Sequence, residues 1–195
     1  MHQKSNAVFE TEKKFRCTEI EKLINHASSL GFIQIQEDTK EHDIYFTDKE
    51  YTFIEKRICL RIRQTDSHCE ITHKWHSHDT EAFYSKLENN IQIPHNNKEN
   101  AISLIESLWF LKYVEVKKTR NMFKKTQEEY TYNIAIDHIE NIWYFVEFEI
   151  LSPNAIEKDQ IKSILDEFVS HFNDFGLQEE SLPYRDIVKQ EDKID

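Results

Sequence analysis

Glycine is almost absent from this chain: two in 195 residues, with three prolines. That removes every glycine-rich phosphate loop at once, since neither GxxxxGK[ST] nor GxGxxG occurs. A phosphate site here has to be built from side chains. The three cysteines, Cys17, Cys59 and Cys69, form no CxxC pair and no disulfide framework, which fits a reducing compartment. No run is long and apolar enough to cross a bilayer. The opening MHQKSNAVFETEKKF has no apolar core of a secretory signal, so a cytoplasmic location is expected. An excess of positive charge is missing too. Lys+Arg 25 against Asp+Glu 36 gives a net charge of -11, which argues against a general nucleic-acid or membrane-surface binder, whose partners are anionic. Any anion must be held by a local basic cluster working against the global field. Repeats, low-complexity runs and Pro/Gly/Ser linkers are also lacking, so a single domain over residues 1–188 is expected, followed by a charged tail at 189–195.

What is present is period-2 patterning. It predicts strands over 7–15, 33–46, 53–64, 69–76, 83–93, 114–123, 129–139 and 143–151. Three helices interrupt them. One is expected from a Thr18 cap to Leu30, with Glu21 completing a capping box, Ile20, Leu23, Ile24 and Ala27 as its apolar stripe, and Gly31 ending it. A second fits 98–111, with Ile102, Ile105, Leu108 and Trp109 inward. The last starts after Asn154 with Glu157 three residues on, buries Ile161, Ile164, Leu165, Phe168, Val169 and Phe172, and stops at Gly176; beyond Ile187 a frayed end is expected. Strands do not alternate regularly with helices, so the expected class is α+β: an eight-stranded antiparallel β-barrel with about three flanking helices.

The chemistry lies in which residues share a strand face. Glu10, Glu12 and Lys14 share one, as do Arg61 and Arg63, Lys118 and Arg120, and Glu147 and Glu149; the alternate positions are mostly apolar, as with Phe9, Ile62, Val146, Phe148 and Ile150. On any one strand this is the ordinary alternation of a half-buried sheet. Across strands, cations pair on some and carboxylates on others. Closed with that face inward, the sheet has a cationic wall suited to a polyphosphate and an acidic wall suited to hard divalent cations. Neither wall is tolerable empty and dry, because unpaired buried charge is costly.

In order along the chain, Glu10-Thr11-Glu12-Lys13-Lys14 resembles the ExExK signature of the CYTH superfamily, the triphosphate tunnel metalloenzymes. His42-Asp43-Ile44-Tyr45-Phe46 resembles its D-x-Y-F/Y strand, Leu60-Arg61-Ile62-Arg63 its LRxR and Ile71-Thr72-His73-Lys74 its LTxK. Lys86-Leu87-Glu88-Asn89-Asn90 is similar to RxExE, Lys118-Thr119-Arg120 to KxR, Ile134-Ala135-Ile136-Asp137 to the LD that follows, and Glu147-Phe148-Glu149 to the closing ExE. The match runs from about Phe9 to Ile150. There are departures: Ile58-Cys59 and Asn141-Ile142-Trp143-Tyr144 stand where the family often has glycine, Lys86 replaces an arginine fork by a point charge, and Asn90 replaces an acid.

The resemblance implies an eight-stranded tunnel and Mg2+- or Mn2+-dependent chemistry on a small-molecule triphosphate, in a monomer or homodimer. It places Arg61, Arg63, Lys74 and Arg120 on the phosphates, with Lys14, Lys86 and Lys118 in support, and makes Glu10, Glu12, Asp137, Glu147 and Glu149 the metal-ligand pool. Glu10, Glu12, Lys14 and Lys74 are the expected catalytic residues. The bland alternative for the carboxylates is interstrand ion pairing without metal. A zinc site from Cys69, His73, His76 and His78 is disfavoured, because the spacing lacks a second half and His73 shares its face with Trp75. Two activities share the fold: hydrolysis of thiamine triphosphate or inorganic triphosphate, and class IV cyclisation of ATP. Glu12-Lys13-Lys14-Phe15 resembles the triphosphatases, whereas Leu182-Pro183-Tyr184-Arg185-Asp186-Ile187 resembles an ending of cyclase-like members. Hydrolysis is the favoured expectation; cyclisation and a non-catalytic polyphosphate-binding module are the alternatives.

Overall fold

The computed structural model describes residues 9–76, 86–154 and 156–191; of His76, residues 86–88 and Lys158 only the backbone is described. One antiparallel sheet dominates. Its strands are β1 (Phe9–Cys17), β2 (Ile33–Thr47), β3 (Cys59–Thr65), β4 (Cys69–His76), β5 (Lys86–Ile93), β6 (Leu111–Gln127), β7 (Tyr130–Ile139), β8 (Trp143–Ser152) and β9 (Leu177–Glu179), in the order β5-β4-β3-β2-β6-β7-β8-β1-β9. The helices are α1 (Ile20–Ser29), α2 (Thr52–Glu55), α3 (Lys98–Ser107), α4 (Lys158–Ser170) and α5 (Tyr184–Glu191). The expected eight-stranded barrel with about three helices is thus corrected: the described residues form a nine-stranded sheet with five helices, and among them hydrogen bonding does not close the sheet. It is nevertheless strongly curled. Lys74 on β4 donates to Glu10 on β1 at 2.7 Å, although five strands stand between β4 and β1 in the sheet order.

The curl gives the sheet two faces with opposite chemistry. Outward, Phe123, Ile134, Ile136, Val146, Phe148 and Ile150 meet α1 and α4 through Leu23, Ala27, Ile161, Leu165 and Phe168. Further round, Ile44, Phe46 and Ile62 meet α3 through Ala101, Ile102 and Ile105. The alternate positions face inward and carry the charge. α5 is the exception among the helices, since it packs on the inner face. Its Tyr184 and Ile187 join Tyr45, Val114, Val116, Ile139 and Phe145, side chains from β2, β6, β7 and β8. A single helix can touch four strands this way only because the sheet wraps round it.

Several element ends differ from expectation, each for a local reason. Thr18 does not cap α1, which starts after Glu19 without a side-chain cap; Thr18 lies instead against the turn at Gly176. Asn154 does not open α4 either, because Ser152 and Asn154 bond each other in a turn and the helix begins after Glu157. Residues 53–58 are not strand: Asp48 accepts the amide of Phe53 at 3.0 Å and α2 forms there. α3 ends at Ser107 rather than 111, and Trp109, at φ 68, reverses the chain into β6. Trp109, expected inward, is 87% exposed and Leu108 is exposed beside it, while Phe110 turns in against Phe53. The end expected to fray is helical as far as Glu191. No helix among the described residues is long and apolar enough to cross a membrane.

Candidate active site

Register builds the inner face row by row. Glu12 lies opposite Glu149, which lies opposite Asn133; Lys14 lies opposite Glu147; Arg120 lies opposite Asp137; Asp43 lies opposite Arg63. Side chains that are far apart in sequence therefore form one belt of charge around the curl.

The cationic part of the belt is held by buried carboxylates. Asp43 takes Arg63 at both oxygens, Nε to Oδ1 and Nη2 to Oδ2, each at 2.7 Å, and Arg61 approaches Oδ2 at 3.4 Å. Glu41 bridges onward, 3.0 Å from Arg63 and 3.3 Å from Lys118. Asp137, fully buried, takes Arg120 at 2.6 and 2.5 Å and Lys118 at 2.9 Å. Arg120 then reaches Glu147 at 2.6 Å. Burial alone would raise the carboxyls of Asp43 and Asp137, but the cations beside them hold both far below the usual carboxylate range. Of these counter-ions, Asp43 enters the sequence reading only as part of a motif and Glu41 not at all. Their place opposite the arginines is a matter of strand pairing, which no single strand reveals.

The acidic part behaves in the opposite way. Burial pushes the Glu10 carboxyl up to about 8; Lys74 pulls it down, and Glu149 and Glu12 push it up again. Glu149 is also raised, by burial first and then by Glu12 and Glu147, despite the 2.8 Å hydrogen bond it accepts from Asn133. Among the described residues no three His, Cys, Asp or Glu side chains are already gathered as a metal-ligand set. The donor chemistry of Glu10, Glu12 and Glu149 still fits Mg2+ or Mn2+: hard carboxylate oxygens brought close together, with Glu10 and Glu149 each raised by burial and by the charge of Glu12. Asp137 and Glu147 fit less well, because their oxygens already serve Lys118 and Arg120.

At one end the inner face is covered by α5. Lys14 donates to the Leu182 carbonyl and lies over the Tyr184 ring, 4.3 Å from its centroid, and Lys118 lies 4.8 Å from the same ring. Burial lowers the Lys14 ammonium, against the pull of Glu147 and Glu12. Lys14 thus helps to anchor the helix over the site. Lys13 is on the other face, bonded to Asp166 of α4 at 2.5 Å, so its resemblance to the triphosphatase pattern reflects helix docking. The Lys86 side chain and His78 lie outside the described residues. Asn90 accepts from Thr72 at 2.8 Å. His73 stacks on Trp75, and Cys69 is buried in the core under α3.

Comparison with known proteins agrees with this architecture. The model of the CYTH domain matches residues 9–183. A curated protein of Methanocaldococcus jannaschii named "Putative adenylate cyclase" is 28% identical over 166 residues, covering 85% of this chain and 90% of its own length. Among solved structures, a "putative adenylate cyclase" from Vibrio parahaemolyticus superposes with a TM-score of 0.72 at 19% identity, over 93% of this chain and 98% of its own. A Hippeastrum protein, described as a "Putative adenylyl cyclase" that "reveals a dominant" triphosphatase activity, superposes with a TM-score of 0.64 at 14% identity, over 93% of this chain and 95% of its own. At these identities the two structural likenesses are ones of fold.

Proposed function

Because the chain belongs to the CYTH family, we propose that it is a metal-dependent triphosphatase, which releases orthophosphate from a small-molecule triphosphate bound on the inner face. The observation that carries the reading is the division of that face into a cation belt (Arg61, Arg63, Lys118 and Arg120) and a crowded set of acids (Glu10, Glu12 and Glu149), with α5 covering one end. The arginines and lysines bind phosphate oxygens and stabilise the charge that spreads over them during transfer. Lys74, 2.7 Å from Glu10, would touch a phosphate held beside the acids. Glu10, Glu12 and Glu149 would hold Mg2+ or Mn2+, which when bound supplies neutralisation of phosphate charge and a more acidic water. In hydrolysis, the oxygen of water bonds to the terminal phosphorus as the bridging P–O bond breaks, and diphosphate or its organic ester leaves with the electron pair.

A second reading is favoured by the name of the Methanocaldococcus jannaschii relative. Cyclisation of ATP needs the ribose 3'-hydroxyl in line with the α-phosphate and releases diphosphate. No side chain placed so far reads a base or a ribose, so hydrolysis is preferred. The test is a panel of ATP, thiamine triphosphate and inorganic triphosphate with Mg2+ or Mn2+, scoring orthophosphate, diphosphate and cyclic nucleotide separately. Orthophosphate with little cyclic nucleotide is expected. Stoichiometric diphosphate and cyclic AMP from ATP, with no orthophosphate from the others, would establish the cyclase. Tight binding without turnover of any of the three would make the protein a polyphosphate-binding module.

A further inference from the structure

The geometry points to a different task for Asp137 from the metal ligation that the family resemblance implies: we propose that Asp137 and Asp43 are positioning residues, one on each side of the cation belt, which fix the guanidinium planes that receive phosphate. The proposal rests on the reading of the inner face as a triphosphate site.

The two aspartates are built alike. Each stands directly across the ladder from its arginine, Asp43 from Arg63 on β2–β3 and Asp137 from Arg120 on β6–β7. Both bind that arginine through its Nε and Nη2, at 2.7 and 2.7 Å for Asp43 and at 2.6 and 2.5 Å for Asp137. A second cation adds to Oδ2 in each case, Arg61 at 3.4 Å and Lys118 at 2.9 Å. Glu41 joins the two assemblies by touching Arg63 and Lys118. Parallel bonds along one edge fix a guanidinium in plane as well as in place, which a single contact cannot do. That commitment leaves the Nη1 corner of each fork for a further acceptor. Asp137 is correspondingly ill suited to a metal. Its side chain has no exposure, and both oxygens are engaged by cations within 3 Å. A divalent ion would have to share those oxygens with Arg120 and Lys118, or displace them and leave the Lys118 ammonium, 1% exposed, without its buried partner.

The sign of one effect separates the readings. Removing a negative charge beside the belt should, by Coulomb's law alone, tighten anion binding. If Asp137 positions Arg120, its removal weakens anion binding instead. The experiment titrates the full chain with inorganic triphosphate in EDTA by calorimetry, and with Mn2+ alone by electron paramagnetic resonance. In EDTA, Asp137→Asn and Asp43→Asn should each raise the triphosphate Kd by about tenfold or more, whereas Glu149→Gln leaves it unchanged or lowers it. Toward Mn2+ the ranking reverses: Glu149→Gln raises the Kd by about tenfold, and Asp137→Asn moves it by less than about twofold. Should Asp137→Asn not fold, Arg120→Lys puts the same question, because it keeps the charge and loses the fork; its triphosphate Kd in EDTA should rise by about fivefold with Mn2+ binding intact. Triphosphate binding in EDTA as tight as wild type in Asp137→Asn, with Mn2+ affinity lost as in Glu149→Gln, would return Asp137 to the metal ligands. Wild-type protein that binds neither probe would overturn the triphosphate reading and this one with it.

Discussion

Arg61 and Arg63 are two residues apart on one strand face and the sequence motif treats them alike, yet their surroundings divide their roles. Arg63 spends its fork on Asp43, and Asp43 is buried; Arg61 makes one long contact there and keeps a buried Nε without a hydrogen-bond partner. Removing Arg63 strips a buried carboxylate of its main partner, whereas removing Arg61 leaves that carboxylate still bound. Arg63→Ala should therefore cost roughly 3–5 kcal/mol of stability, and Arg61→Ala about 1 kcal/mol. Both should raise KM for any triphosphate, whatever its organic part. Urea unfolding of the two variants side by side checks this, and equal losses would mean that Asp43 does not depend on the fork. The period-2 alternation already put Arg61, Arg63, Lys118, Arg120, Glu147 and Glu149 on common faces. It could not say which carboxylate meets which cation. Glu41, Asp43 and Asn133 take their partners from neighbouring strands, and strand register is a property of the pair rather than of either sequence. The crowding that raises Glu10 was equally out of reach, because it depends on Glu149, far along the chain.

Elements with a strong apolar stripe were legible at the scale of secondary structure. α1 and α4 bury the leucine, isoleucine and phenylalanine faces that their 3.6-residue spacing picks out, and seven of the eight expected strands match observed ones with changes only at their ends. What escaped were short elements that owe their existence to tertiary contacts. α2 is a single turn held by Asp48, β9 is three residues added to the edge of β1, and α5 is polar in sequence until the enclosed face gives Tyr184 and Ile187 somewhere to go. Trp109 misled because the apolar pattern of 98–111 runs on past Ser107, and nothing in it shows that Trp109 itself takes the left-handed conformation that follows α3. The turn between α4 and β9 offers a direct test. Gly176 sits at φ +65, and a Cβ there would clash with Thr18 Oγ1. Gly176→Ala should cost about 2 kcal/mol, or roughly 5 °C in Tm. Adding Thr18→Ala removes the clash and leaves the backbone strain, so the double variant should recover about half the loss. Full recovery would show that strain contributes nothing, and no recovery that the hydroxyl yields freely.

For the molecule as a whole, the enclosed face couples proton, metal and fold. The sequence implied a barrel; closure was beyond it, since β5 and β9 differ from inner strands in having, among the described residues, no hydrogen-bonded strand on one side, which composition does not record. What the curl does show is that acids from β1 and β8 share a confined, partly dry space, and the consequence for stability has a definite sign. Glu10 titrates at about 8 in the fold against an ordinary value of 4.5, so between those pH values the folded protein holds a proton that the unfolded chain has released. Stability contributed by that group therefore falls as pH rises through the window. Glu149, also raised, adds to the fall. Asp43 and Asp137 act at the other end: both are depressed, so their contribution is complete above the ordinary aspartate range and is lost as pH drops below it. The metal-free protein should accordingly be most heat-stable near pH 5. By pH 8.5 its Tm should have declined by several degrees, at roughly 2–4 °C per kcal/mol for a chain of this size. Mg2+ or Mn2+ in excess should restore the loss at pH 8.5 and do little at pH 5, because a cation that neutralises the acids binds the folded chain alone and only when they are ionised. Glu10→Gln should flatten the alkaline decline and weaken the metal's effect on Tm, and Glu149→Gln should hold or raise the metal-free Tm. Calorimetric melting from pH 4.5 to 8.5, with EDTA and with each ion, measures all of this in one series. A wild-type Tm that rises steadily to pH 8.5 in EDTA would mean that the acids of β1 and β8 are not crowded in the folded protein, and would remove the physical basis for placing the metal there.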